Sequence, residues 1–172
     1  MAPLPASPGS PRPGRRAVLE IHKDRLGFAA AHFSILEGGS ERIHGHNYRV
    51  GLRAHGSVRP DGTVVDFAAL KRAVADECAA LDHHMLIPGE CPEVVVEHQA
   101  DGHVSLRQGQ RRFLFPTAEV TVLPVRNTTC ECLAEYLVGR LRARLGELPV
   151  RLEVTVEESP GQGATVAEPE PG

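Results

Sequence analysis

The sequence has no basic excess: 19 Lys and Arg stand against 22 Asp and Glu, a formal charge of -3. That balance offers no positive field to a polyanion, so no nucleic-acid partner is expected. No apolar run approaches the roughly 18 residues of a membrane-spanning helix, and no membrane partner is expected either. The opening "MAPLPASPGSPRPGRR" has no hydrophobic centre of the kind an export signal carries. Dominated by Pro, Gly, Ser and Arg, it reads as a disordered leader over residues 1–16. Cys78, Cys91, Cys130 and Cys132 show no CxxC spacing, and without an export signal they are expected as reduced thiols in a cytoplasmic protein. No period of 20–50 residues repeats.

What is present suits one globular domain over residues 17–166, since 41% of the chain is hydrophobic and 24% charged. The stretch "GQGATVAEPEPG" is poor in large apolar residues, and a flexible tail is expected over 167–172. In "HNYRVGLRAHGSV", Tyr48, Val50, Leu52 and Ala54 alternate with polar neighbours, as in a strand with one buried face. "AVLEIHKDRLGFAAAHFSIL" carries another strand. Asp61-Gly62 signals a hairpin leading to a short antiparallel strand at 63–65.

Asp66 is placed to cap a helix in which Phe67, Leu70, Val74, Cys78 and Leu81 recur at helical spacing, ending near Asp82. A second helix follows Thr129, with Leu133, Leu137, Leu141 and Leu145 on one face and Gly146 as its stop. Short strands are expected across 88–124, most simply as an added hairpin, and "VRLEVTVEES" is the last strand. The order strands, helix, strands, helix, strand describes an α+β domain: an antiparallel sheet with two helices packed on one face.

The chemistry concentrates in "SERIHGHNYRV". Residues two apart on a strand point to the same side, roughly 6.5–7 Å apart, so His44 and His46 can converge on one ion. His32, at the end of "FAAAH", offers a third imidazole. Three neutral imidazoles bind zinc at about 2.0–2.1 Å and leave a fourth position open, as in a catalytic site. The plainer reading is a strand face whose imidazoles make ordinary hydrogen bonds. His22, His55, His98 and His103 lack such partners and are expected at the solvent, while His84 is either a site residue or a neighbour that helps end the helix.

"FAAAHF", "HGHNYRV", "VVDFAALK", "LDHHML", "NTTCECLAEYL" and "VTVEESP" stand in this order across 28–160. Together they resemble the 6-pyruvoyltetrahydropterin synthases and the related 6-carboxytetrahydropterin synthases of queuosine biosynthesis. The resemblance implies a T-fold, with His32, His44 and His46 as ligands of a zinc ion that acts as Lewis acid on the side-chain hydroxyls of a pterin triphosphate. It implies that Asp82 and His83 form a proton-moving dyad, that Glu158 anchors the pterin ring, and that Thr128 and Thr129 contact the same ring. It also implies a homohexamer of two stacked trimers with sites between subunits. Plainer roles stay open for several of these residues. Asp82 can be a helix-end residue in water, Thr129 and Glu131 can simply cap their helix, and Glu157 rather than Glu158 can face the pocket.

One departure from the family pattern bears on the reaction. The family's proton-abstracting cysteine lies four residues before the first histidine of HGH; here that residue is Ser40, and no cysteine is expected nearby. Glu41 instead resembles a subfamily in which glutamate takes the cysteine's role. Those members cleave the side chain of 7,8-dihydroneopterin triphosphate to 6-hydroxymethyl-7,8-dihydropterin, on the folate branch. A carboxylate near pKa 4.3 is ionised at neutral pH, whereas a thiol near 8.5 needs activation. That weaker base suits removal of a hydroxyl proton in a retro-aldol cleavage. The alternatives are a 6-carboxy- or 6-pyruvoyltetrahydropterin synthase working without the cysteine, or an inactive pterin- or metal-binding protein. Glu41 can also be no more than a loop residue in water.

Overall fold

A computed structural model of the protein describes residues 13–37 and 39–170. Most of the expected leader, residues 1–12, lies outside the described residues. Its last residues are held: the Gly14 amide donates to the Val58 carbonyl (2.8 Å) and the Val58 amide to that of Arg15 (2.9 Å).

Strand β1 (Arg16–His32) and strand β4 (His44–Ser57) pair antiparallel from Arg16 opposite Ser57 to His32 opposite His44. The register slips between His22 and Gly27, and a Cβ at Gly27 would run into the Tyr48 carbonyl, so the close approach requires glycine. Between them lies a small ribbon of β2 (Ile35–Leu36) and β3 (Gly39–Ser40). On the far side of β4 come β10 (Val150–Ser159) and β11 (Gln162–Ala167), both antiparallel. On the far side of β1 come β5 (His84–Pro88) and β9 (Val120–Leu123). The sheet order is therefore β11-β10-β4-β1-β5-β9.

One face of this sheet is apolar because the alternation is strict: Val50, Leu52 and Ala54 from β4 and Val150, Leu152, Val154 and Val156 from β10 are all buried. Helix α1 (Phe67–Ala79) covers that face with Leu70, Ala73, Val74 and Cys78. Helix α2 (Cys130–Leu145) adds Leu133, Leu137 and Leu141. Each such leucine contributes roughly 1.5–3 kcal/mol by leaving water. The Asp66 carboxylate caps α1 by accepting the Ala68 amide (2.8 Å), and Gly146, at φ 66°, ends α2 in the left-handed region. Across the helix pair, Glu77 is only 2% exposed and accepts from Arg140 Nε (3.0 Å) and Arg144 Nε (2.7 Å).

Several expectations need correction. The Asp61-Gly62 turn forms, with the Arg59 amide donating to the Thr63 carbonyl (2.7 Å), but no strand follows at 63–65. Both edges of β4 are taken by β1 and β10, so Val64 and Val65 enter the core as irregular chain instead. The sheet is mixed rather than wholly antiparallel, because β5 and β9 join in parallel. Helix α1 stops at Ala79, short of Asp82, since the chain must turn to enter β5 alongside β1.

Before β9, residues 88–124 build a separate sheet of three strands, not one hairpin. These are β6 (Val94–His98), β7 (His103–Gln108) and β8 (Arg111–Pro116), which share a second apolar cluster with Phe33, Met85 and Ile87. The expected tail is also partly structured. Ala167 closes β11, and Glu168 accepts from Arg142 Nε and Nη2 (both 2.6 Å) and from the Leu152 amide (2.7 Å). Among the described residues, no helix is long and apolar enough to cross a membrane.

Candidate active site

The three histidines meet where β1 ends and β4 begins. His32 lies opposite His44, and His46 opposite Ala30, so all three share the helix-side face with Phe28 and Tyr48. Their ring centroids are 4.6, 4.9 and 5.3 Å apart, and one ring nitrogen from each lies within 4.8 Å of the others.

The backbone sets the tautomers of two of them. His32 Nδ1 lies 3.0 Å from the Thr128 carbonyl and His44 Nδ1 lies 2.8 Å from that of Arg42. A carbonyl accepts only from N–H, so the proton sits on Nδ1 and the Nε2 lone pair is left bare. His32 Nε2 is buried and has no hydrogen-bond partner among the described residues. Such an orphaned acceptor is costly unless something binds it. Burial also holds the His32 imidazole below its ordinary pKa; the Thr128 bond opposes this shift and the neighbouring His44 and His46 add to it. Neutral imidazoles with aimed lone pairs are what a metal requires, and the triad fits one.

The triad opens onto a cavity of about 310 Å³, also lined by Glu41, Thr129, Cys130 and Glu158. Glu158 Oε2 lies 4.0 Å from His46 Nε2. It is therefore Glu158 that lines the cavity, its neighbour Glu157 having the opposite strand parity. Glu41 is fixed at both ends: its amide donates to the Ser34 carbonyl (2.9 Å), and its Oε2 accepts the Ser34 amide (3.2 Å).

Thr129 occupies the N-cap position of α2, yet its side chain makes no capping bond and it faces the cavity with Glu131. Thr128 does not. It is fully buried, its Oγ1 donates to the Phe33 carbonyl (2.7 Å), and its own carbonyl orients His32.

The dyad lies elsewhere. His83 Nδ1 is 2.9 Å from Asp82 Oδ2, and Asp82 Oδ1 accepts the Ala29 amide (2.7 Å). That amide bond holds the Asp82 carboxyl below its ordinary pKa; burial opposes it and His83 adds to it. His83 has a φ of 60°, a left-handed conformation that costs a non-glycine residue about 1–3 kcal/mol and is characteristic of functional positions. Its side chain is 82% exposed, in a second cavity of about 550 Å³ lined by Ala29, Ala31, Gly45, His84, Phe115 and Glu119. Within one chain, then, His83 and the base candidate Glu41 line different cavities, with His46 bordering both. His84 begins β5 and faces the dyad's cavity, while His55, expected at the solvent, leans on Glu153 (3.2 Å).

Three residues near the triad escaped sequence reasoning. Cys130, against the expectation that no cysteine is near, lies 3.7 Å from Glu158 Oε2. Burial and the adjacent carboxylate push its thiol up to about 11, so at neutral pH it is a neutral donor and not a ready base. The Tyr48 hydroxyl is buried without a partner among the described residues, its ring 5.8 Å from His32 and 5.5 Å from His46. Burial, with Cys130 and Glu158 nearby, raises its pKa strongly. Arg111, 70 residues along from Glu41, donates to that residue's carbonyl (2.6 Å). Their sequence distances hide all these contacts except that of Tyr48, which HGHNY places on the triad's face.

A mixed sheet with two helices on one face, carrying a three-histidine cluster at the end of its central strands, defines a T-fold with a candidate metal centre. Residues 20–169 match the family described as 6-pyruvoyl tetrahydropterin synthase. A protein of Methanocaldococcus jannaschii, provisionally named a 6-carboxy-5,6,7,8-tetrahydropterin synthase, is 31% identical over 81% of this chain and 88% of its own. A Pyrococcus abyssi protein of the same provisional name is 30% identical over 81% and 84%. Among solved structures, the 6-pyruvoyl tetrahydropterin synthase of Plasmodium vivax superposes with a TM-score of 0.84 at 30% identity, covering 90% of this chain and 98% of that one. An equally similar P. vivax structure is of a mutant at a glutamate described as a catalytic residue. The chain belongs to the 6-pyruvoyl tetrahydropterin synthase family.

Proposed function

We propose that this protein is a zinc-dependent lyase that cleaves the side chain of 7,8-dihydroneopterin triphosphate to 6-hydroxymethyl-7,8-dihydropterin, in the cytoplasm and on the folate branch. The observation that carries this reading is Glu41 on the wall of the triad's cavity, while Ser40 stands where the family pattern has its cysteine. The P. vivax relative, with its catalytic glutamate, supports it. Zinc held by His32, His44 and His46 would polarise the hydroxyls of the substrate's side chain.

The chain's own residues account for the rest. Glu158 accepts two parallel N–H bonds from the pterin's amino and ring nitrogens, with the Thr129 hydroxyl beside it, and so sets the side chain's position. Glu41 removes the proton of the second side-chain hydroxyl. The bond between the first and second side-chain carbons breaks, and its electron pair passes into the ring's C6–N5 imine. A proton returned to the first carbon gives the hydroxymethyl group, and the aldehyde fragment leaves with the triphosphate. Electrons and atoms balance without an oxidant.

The placement of His83 and Glu41 in different cavities supports a site completed by a second copy, which would bring Asp82 and His83 to the substrate within a homohexamer of two trimers. The outer edges of β9 and β11 offer unpaired backbone for such assembly. The names of the archaeal relatives favour one other reading, a 6-carboxytetrahydropterin synthase.

Mass analysis after incubation with dihydroneopterin triphosphate separates these outcomes. Hydroxymethyldihydropterin supports the lyase, a carboxy or pyruvoyl product refutes it, and unchanged substrate with zinc-loaded protein marks an inactive binder. Glu41→Gln is expected to keep zinc and lose turnover.

A further inference from the structure

The three-stranded sheet of β6, β7 and β8 lies outside the main sheet, and the reaction proposed above gives it no task. Its β8 begins with Arg111, whose Nη1 donates to Ser40 Oγ (2.8 Å) and to the Glu41 carbonyl (2.6 Å). Ser40 Oγ donates to that same carbonyl (3.0 Å). The guanidinium lies 5.0 Å from the Phe113 ring centroid and 5.9 Å from that of Phe33. Both rings belong to the cluster that seats this sheet against Ile35 and Ile43, on either side of Glu41.

We propose that Arg111 is a positioning residue for Glu41, and that the β6–β8 sheet is the platform from which it acts. The proposal rests on the reading of Glu41 as base. The need for such a clamp is local: β3 ends at Ser40 and β4 starts at His44, so Glu41 sits on a segment without strand pairing. Its amide and carboxylate are tied to Ser34, but its carbonyl has no backbone donor among the described residues and is held by Arg111 and Ser40. Stacking on two aromatic rings restricts the guanidinium's rotamers, so little freedom is lost when its bonds form. Phe33 follows the ligand His32 directly. Through it, one guanidinium touches both the segment bearing the base and the strand end bearing the metal ligand. A base displaced by about 1 Å can lose on the order of 100-fold in rate, which is the scale of what the clamp protects.

The test uses the full chain loaded with zinc and compares R111A, R111K, E41Q and R111A/E41Q. R111A should keep its zinc and its fold and lose about 10–100-fold in kcat with KM within about twofold. R111K should recover only part, because an ammonium cannot reproduce the stacked fork. In the E41Q background R111A should change the residual rate by less than about twofold, as expected for groups acting as one unit. Amide hydrogen exchange supplies a readout independent of turnover: the Glu41 amide should exchange at least about tenfold faster in R111A, with residues 28–32 unchanged.

Unchanged exchange at Glu41, an equal loss in the E41Q background, or a rise in KM alone would overturn the clamp. The last result would make Arg111 a substrate contact. Full turnover by E41Q together with faster exchange in R111A would refute Glu41 as base while leaving the clamp standing.

Discussion

Glu77→Gln isolates the tie between the two helices. The wild-type carboxylate is 2% exposed and accepts two charge-assisted bonds, at 2.7 and 3.0 Å, from guanidinia whose side chains are 40% and 49% exposed. Breaking a fully buried pair costs about 3–5 kcal/mol. Here both arginines can rehydrate in the variant, and glutamine keeps an oxygen acceptor, so we expect a loss of about 2–3 kcal/mol at pH 7. For a chain of this size that corresponds to a Tm lower by roughly 4–12 °C.

Acid should erase the difference. Burial alone would raise the Glu77 carboxyl, but the Arg140 and Arg144 bonds outweigh it and hold its pKa below the ordinary 4.5. A depressed folded-state pKa contributes stability that is fully present above the unfolded value and lost as pH falls through the folded one. The gap between wild type and variant should therefore be constant from pH 7 to about 5.5 and shrink below about 4.5. Denaturant unfolding at fixed protein concentration measures it. Equal stability at pH 7, or a gap undiminished in acid, would refute the reasoning.

Other outcomes are as definite. His46→Ala should lower zinc affinity by more than about 100-fold, beyond the roughly 10–100-fold loss of an outer hydrogen-bond partner, as metal titration of the purified protein would read. Glu158→Ala should leave zinc content unchanged and weaken pterin binding by roughly 10–100-fold, the loss of one or two charge-assisted bonds, measured by calorimetry. Cys130, with its thiol pushed up to about 11, should react with iodoacetamide at pH 7.5 about two orders of magnitude more slowly than an ordinary cysteine, and Cys130→Ala should retain turnover.

Local patterns carried much of this molecule. The buried faces of β4 and both helices are legible because strand parity and the 3.6-residue period act over a few neighbours; so are the Asp66 cap and the Gly146 stop. His44 and His46 share a side for the same reason of parity. Less legible were β11 and Glu168. "GQGATVA" has little apolar bulk, and it is held by backbone pairing to β10 and by Arg142, 26 residues away. The strand expected at 63–65 failed in the opposite sense: its turn formed, but the edge it needed was already occupied.

The amino-acid order alone determined the family, the apolar faces and the set of candidate metal-ligating residues, because each is written in spacings that hold in any arrangement of the elements. Only the tertiary structure decided which groups share a cavity. It brought Cys130 against Glu158, set Thr128 behind His32, carried Arg111 to Glu41 and turned His83 into a different cavity from Glu41. These contacts span up to 96 residues, and they exist because sheet register and helix packing, not local propensity, choose which distant side chains meet.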